Sequence, residues 1–252
     1  MTDTVLYQRD GHVGRLTLND PQRHNALGNE QLSAITRYLD EINADDGVRV
    51  LVVTGSGHKT FCAGASLKEL GASEIRDATF QTMTTQLAAL PIPTICALNG
   101  SVFGGGVELA VSCDFRVGVR GARMRVPAAA LGLCYPPVGI QRFVQCLGVP
   151  ITRRLLVAAE EFDDEGMLNI GLLDQLVAPE ALEEVVSEMA AQIAGLAPLA
   201  VQSMNALLDQ SASGGMDEEQ ARALTELCVE STDLQEGFAA QREKRMPVFK
   251  GC

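Results

Sequence analysis

Two glycine-containing turns carry the residues best suited to chemistry. The first runs Phe61-Cys62-Ala63-Gly64-Ala65-Ser66-Leu67-Lys68-Glu69-Leu70. The second runs Asn99-Gly100-Ser101-Val102-Phe103-Gly104-Gly105-Gly106-Val107-Glu108-Leu109. Each reads as a strand end running into a helix. Small residues at such a junction leave backbone N–H groups without acceptors and aimed outward. Two such turns set face to face would supply paired donors to an oxygen that gains negative charge during a reaction. A glycine triplet also lets a helix pack closely on a strand, and either turn alone leaves both uses open. The second turn is not a dinucleotide fingerprint, because the GxGxxG order is absent.

Other chemistries find little support. The three histidines, His12, His24 and His58, stand beside no GxSxG or HExxH pattern, so serine-hydrolase and zinc-hydrolase readings are not favoured and each histidine reads as a surface or loop residue. The seven cysteines are scattered with no CxxC pair, which predicts free thiols, no metal site and a cytoplasmic setting. Lys and Arg total 20 against 32 Asp and Glu, a net charge of −12, which disfavours nucleic acid and anionic membranes as partners. No basic leader and no 18-residue apolar run occurs, so a soluble protein is expected.

The elements that must hold the turns follow from periodicity. Residues 5–19 alternate around Asp10-Gly11, as a β-hairpin does. Leu32, Ile35, Leu39 and Ile42 mark an amphipathic helix, and Val50 to Val53 a buried strand. Phe80, Met83, Leu87 and Leu90 share one face of a second helix that Pro91 stops. Thr94 to Leu98 and Phe115 to Val119 are further strands, with the second glycine turn and a helix between them. This alternation predicts an α/β layer fold with largely parallel strands. Beyond residue 180 only helical patterns occur, at 181–195, 198–210, 217–229 and 231–241, a tail that packs back on the core or against a neighbouring subunit.

Taken together and in order, the turns resemble those of the crotonase (enoyl-CoA hydratase/isomerase) superfamily. Leu18-Asn19-Asp20-Pro21 with Asn25-Ala26-Leu27, Phe61 to Leu70, Gly100 to Asp114, Leu131 to Arg142, and Glu236-Gly237-Phe238 through Phe249 are similar to the family's successive blocks. The resemblance implies a ββα-spiral acyl-CoA-binding core over residues 1–195 and a C-terminal helical trimerisation region over 196–252. It also implies a homotrimer or dimer of trimers, and an enzyme of fatty acid metabolism that takes a coenzyme A thioester as substrate and needs no cofactor. By position, the amides of Ala65 and Gly105 would form an oxyanion hole for a thioester enolate, and Ala63 with its loop would accept the adenine. Arg23, His24, Lys68 and a neighbouring subunit's Lys250 would meet the phosphates, although each is equally readable as a solvated surface charge. Glu108 matches one of two catalytic glutamates, and a carboxylate just inside an apolar turn should have a raised pKa suited to acid/base work.

One departure bears on the reaction. Hydratases carry a second glutamate directly after the proline of this region, whereas here Pro127 is followed by Ala128-Ala129-Ala130. Ser66 stands where many relatives have Asp. The segment Leu131-Gly132-Leu133-Cys134-Tyr135-Pro136-Pro137-Val138-Gly139-Ile140 is instead similar to the methylmalonyl-CoA decarboxylase branch, which has a tyrosine at the position of Tyr135 and keeps a glutamate matching Glu108. Tyr135 could equally be an aromatic lining the acyl pocket. Three activities therefore stand: an enoyl-CoA hydratase/isomerase-type enzyme, a methylmalonyl-CoA-like decarboxylase, and a catalytically silent acyl-CoA-binding protein.

Overall fold

A computed structural model describes residues 3–65 and 79–252. The expected hairpin forms: β1 (Val5–Asp10) pairs antiparallel with β2 (Val13–Leu18). Helix α1 (Asn29–Asn43) buries Leu32, Ile35, Leu39 and Ile42, and its first turn is closed by the Gly28 N–H donating to the Gln31 side chain. Next come β3 (Val50–Gly55), the short β4 (Thr60–Cys62), and α2 (Thr79–Ala88), which turns Met83, Thr84 and Leu87 inward. The chain continues through β5 (Thr94–Leu98), β6 (Ser101–Phe103), α3 (Gly105–Val111), β7 (Phe115–Val119) and β8 (Arg123–Arg125).

A spiral emerges from this order. Strands β3, β5 and β7 lie side by side and parallel in a six-stranded sheet, ordered β1-β2-β3-β5-β7-β10 with β10 (Gln175–Val177) at its edge. The strand after each, β4, β6 or β8, joins a second sheet that ends with β9 (Phe162–Asp163). Each turn of the chain thus gives one strand to the large sheet and the next to the small one. The sequence pattern predicts β1, β2, β3, β5 and β7 of the first sheet and the strand end at Phe61, but misses β10 and the rest of the second sheet, whose strands of two or three residues are shorter than the alternation that marks a strand.

Six further α-helices follow among the described residues. Helix α4 (Pro137–Leu156) opens with proline at its first position and breaks at Gly148, whose φ is +70°. Helix α5 (Asp164–Asn169) is short, and α6 (Leu182–Ala194) lays Val186, Ala190 and Ala194 on the large sheet. The tail then runs through α7 (Pro198–Ala212), α8 (Glu218–Glu230) and α9 (Thr232–Glu243). Helix α8 buries none of its side chains in this chain, and Leu208, Leu227, Val229 and Phe238 stay exposed. Among the described residues no single helix is long and apolar enough to cross a membrane.

Asn25 fixes the place where the first glycine turn begins. It is buried at φ +54°, a conformation that Asn tolerates better than most residues. Its side-chain N–H₂ lies 3.0, 2.9 and 3.1 Å from the carbonyls of Ser56, Thr60 and Phe61, and its Oδ1 accepts from the Asp20 N–H at 3.0 Å. Asn25→Ala would strand these buried groups, and we expect urea unfolding to show a loss of about 1–3 kcal/mol.

Candidate active site

The two glycine turns touch. Strand β4 delivers Ala63, Gly64 and Ala65, and β6, its parallel neighbour, delivers Gly104 and Gly105 at the start of α3. A Cβ on Gly64, whose φ is +84°, would lie 2.7 Å from the Phe103 carbonyl and 2.8 Å from the Gly105 nitrogen. A Cβ on Gly105 would lie 3.5 Å from the Ala65 nitrogen. Only bare backbone lets the strands approach this closely. Gly104 precedes the helix at φ +53° and ψ −124°, which turns the chain sharply enough to leave the Gly105 N–H ahead of the first helical acceptor. Among the described residues neither the Ala65 nor the Gly105 amide donates to a protein acceptor.

Both turns line one cavity of about 240 Å³. Phe80, Leu131 and Leu133 supply apolar walls, while Glu108 and Tyr135 bring ionisable groups. Ala128 also faces this space. Glu108 is the one carboxylate that lines it among the described residues.

Glu108 is fully buried on the first turn of α3. Its Oε1 accepts from Thr84 Oγ1 and from Arg142 Nη1, each at 3.1 Å. Burial pushes its pKa above the ordinary carboxylate value, while the Tyr135 phenol, the Arg142 charge and Thr84 pull it partway back. Tyr135 packs edge-on against Phe143, with ring centroids 5.4 Å apart at 78°. Burial, and then the nearby Glu108 charge, hold its phenol well above the usual value. The cavity therefore contains a neutral phenol beside a buried carboxyl group whose pKa is raised.

The structure brings Ala63, Ala65, Gly105, Glu108 and Tyr135 together around this space. His24 lies next to it: its carbonyl accepts from the Ala63 N–H at 3.0 Å, and its ring Nδ1 is 3.1 Å from Thr60 Oγ1. Arg23, one residue earlier, is exposed and 3.9 Å from Asp20. Lys250 does not line the cavity. It sits in the C-terminal segment, whose backbone at 250 and 251 donates to Asp233 at 2.7 and 2.8 Å. Ser66, Lys68 and the short helix expected after Ala65 lie outside the described residues.

Arg142 and Thr84 have no role in the sequence reading. The signal was present in principle, because an acid inside the apolar run Val107-Glu108-Leu109-Ala110 must find polar partners somewhere. Those partners come from α2 and α4, and nothing local in the chain says which helices will face α3.

Comparison with known proteins gives this architecture a class. The profile of the enoyl-CoA hydratase/isomerase family matches residues 8–252. A crotonyl-CoA hydratase of Syntrophomonas wolfei is 32% identical over 258 residues, covering 98% of each chain. A short-chain-enoyl-CoA hydratase of Clostridium acetobutylicum is 32% identical over 247 residues, covering 96% of this chain and 92% of that one. A crystal structure of an enoyl-CoA hydratase from Bacillus anthracis matches with a TM-score of 0.90 at 28% identity, covering 99% of this chain and 100% of that one. The chain belongs to the enoyl-CoA hydratase/isomerase family, within the crotonase superfamily, and is an acyl-CoA enzyme of that family.

The contact between the turns is open to a direct test. Gly64→Ala puts a methyl group where the Phe103 carbonyl and the Gly105 amide already sit, and must push the loops apart. Gly171→Ala carries a similar backbone strain at φ +76° with nothing within 4 Å. We expect acyl-CoA turnover to fall about 10²-fold or more in the first variant and to stay near wild type in the second. Thermal melts run alongside separate this loss from unfolding.

Proposed function

We propose that this protein forms and quenches a thioester enolate, with the Ala65 and Gly105 amides holding the enolate oxygen and Glu108 carrying the proton. The observation that supports it best is that, among the described residues, one fully buried carboxylate lines a largely apolar cavity together with two amides that have no protein acceptor. Charge reaches the thioester oxygen only on approach to the transition state, so preorganised donors there lower the barrier without over-binding the substrate.

With Ala128 opposite Glu108, the site favours reactions that need one proton carrier. In double-bond isomerisation Glu108 removes a proton next to the double-bond system, the electron pair moves into the thioester, and the proton returns at the far carbon. Hydration would need a second group to handle water, and among the described residues the cavity has no second carboxylate. The names of the crotonyl-CoA and short-chain enoyl-CoA relatives, together with walls of Phe80, Leu131 and Leu133, support a short acyl chain.

Methylmalonyl-CoA-like decarboxylation is the second reading, and Tyr135 favours it. There the carbon–carbon bond to the carboxylate breaks and its electrons enter the thioester. CO₂ leaves, and the enolate then takes a proton at the α-carbon. A phenol beside the leaving carboxylate would orient it, and apolar walls would weaken its solvation. In either reaction Ala63 and its loop would receive the adenine, while Arg23, His24, Lys68 and Lys250 from a second copy would meet the phosphates. The exposed side chains of Leu208, Leu227, Val229 and Phe238 support a homotrimer or dimer of trimers.

A panel of short acyl-CoA thioesters read by mass spectrometry tests these readings together. Isomerisation leaves mass unchanged and moves the double bond, decarboxylation loses CO₂, and hydration gains water. We expect one of the first two, with Glu108→Gln lowering kcat by about 10²–10⁴-fold. Gain of water would overturn the one-carboxylate reading. Binding of the thioesters with no turnover would mean a silent acyl-CoA-binding protein.

A further inference from the structure

The two oxygens of Glu108 have unlike surroundings. Oε1 accepts from Arg142 Nη1 and Thr84 Oγ1, and the same Nη1 lies 3.0 Å from Thr84 Oγ1, closing a ring of three polar atoms. Oε2 is equally buried and has no hydrogen-bond partner among the described residues. A Cβ on Gly139 would sit 3.0 Å from Oε2 and 2.6 Å from Tyr135 Cε1, so a bare glycine of α4 leaves the space in which Oε2 and the phenol ring meet.

An unpaired carboxylate oxygen at zero exposure is costly, and Arg142 could have satisfied both oxygens in a forked pair. Its second nitrogen goes instead toward Thr85 Oγ1, at 3.4 Å. Thr84 has one hydroxyl proton to divide between Oε1 and the Gln81 carbonyl, 3.2 Å away, whereas the guanidinium never loses its donors. Arg142 is therefore the permanent partner of Oε1.

Resting on the proton-carrying role given to Glu108 above, we propose that Arg142 and Thr84 are positioning residues that occupy Oε1 and leave Oε2 as the atom through which Glu108 exchanges its proton with the acyl cavity. Among the described residues the groups facing the carboxyl are Arg142 from α4, Tyr135 from the segment before α4 and Thr84 from α2. On β4, packed against α3, the Cys62 thiol is pushed up to about 12 by burial and stays neutral. The Tyr135 phenol opposes the burial-driven rise in the Glu108 pKa most strongly, and Arg142, the one cation in that set, opposes it next. Its removal moves the Glu108 titration to higher pH. The sign is the same whether the reaction starts from the ionised or the protonated acid, because the limb that Glu108 controls moves with its pKa.

The experiment titrates Glu108 by infrared difference spectroscopy on ¹³C-glutamate-labelled full-length protein, with Glu108→Gln identifying the band, alongside pH profiles of kcat and kcat/KM. Arg142→Gln should raise the Glu108 midpoint by about one pH unit or more and lower kcat more than it changes KM. Arg142→Lys should keep most of the wild-type midpoint. Thr84→Val should move it the same way by less, and Thr84→Ser should restore it. An unchanged midpoint in folded Arg142→Gln and Thr84→Val overturns the clamp. Should Arg142→Gln not fold, the Thr84→Val and Thr84→Ser pair decides. Full activity in Glu108→Gln would overturn the catalytic role of the acid, while the infrared titration still judges the clamp separately.

Discussion

The approach of two bare backbones at Gly64 and Gly105 is the constraint on which the site rests. Neighbouring parallel strands of the small sheet, β4 and β6, carry their chain ends to the same point; a side chain at Gly64 would collide with the other turn, and one at Gly105 would crowd the Phe80 ring. This contact brings two amides from distant parts of the sequence to one cavity wall, with no protein acceptor for them among the described residues. The spiral topology makes it possible, since each turn of the chain contributes successive strands to both sheets. The Asn25 side chain and the closely packed Gly106, whose Cβ would be 2.6 Å from the Cys62 carbonyl, hold the junction from either side.

Around this frame the polar groups are arranged against stability. Glu108 and Arg142 form a pair in which one side chain is 0% and the other 11% exposed. A buried pair of this kind commonly loses more in solvation than it regains in attraction, and well-packed apolar replacements are often neutral or stabilising. A pair that also leaves one carboxylate oxygen without a hydrogen-bond partner among the described residues is harder still to account for as a support of the fold. The proposed proton transfer supplies a reason for it, because burial raises the affinity of the acid for its proton, and the Tyr135 phenol and Arg142 limit the rise. With alanine at 128, Glu108 is the one carboxylate among the described residues that lines the cavity, and Tyr135 lines it too.

Much of this was legible in the chain, for physical reasons. The hairpin, α1, α2, the strands β3, β5 and β7 and the four terminal helices each bury one regular face or a continuous apolar run, and such patterns survive without knowledge of partners. The small sheet was not legible, because Arg123–Arg125 buries a single residue and no period can be read from it. Helix α4 was hidden by Pro136-Pro137, which look like a stop but serve as a helix start. Of the site, the glycine turns and Glu108 stood out through local composition. Arg142 and Thr84 did not, because their role depends on which helices come to face α3. Lys250 shows the converse: its charge is plain in the sequence, yet within one chain it lies away from the cavity, tied by its backbone to Asp233.

The polarisation of a bound thioester tests the central claim most directly. Isotope-edited infrared spectroscopy of a ¹³C=O-labelled, unreactive acyl-CoA bound to the protein reads the hydrogen bonding of that one oxygen. The account predicts a carbonyl stretch moved well below its value in water, with Gly64→Ala returning it toward the solution frequency. A bound thioester whose stretch matches that in water would contradict it, and would mean that the Ala65 and Gly105 amides do not act on the substrate.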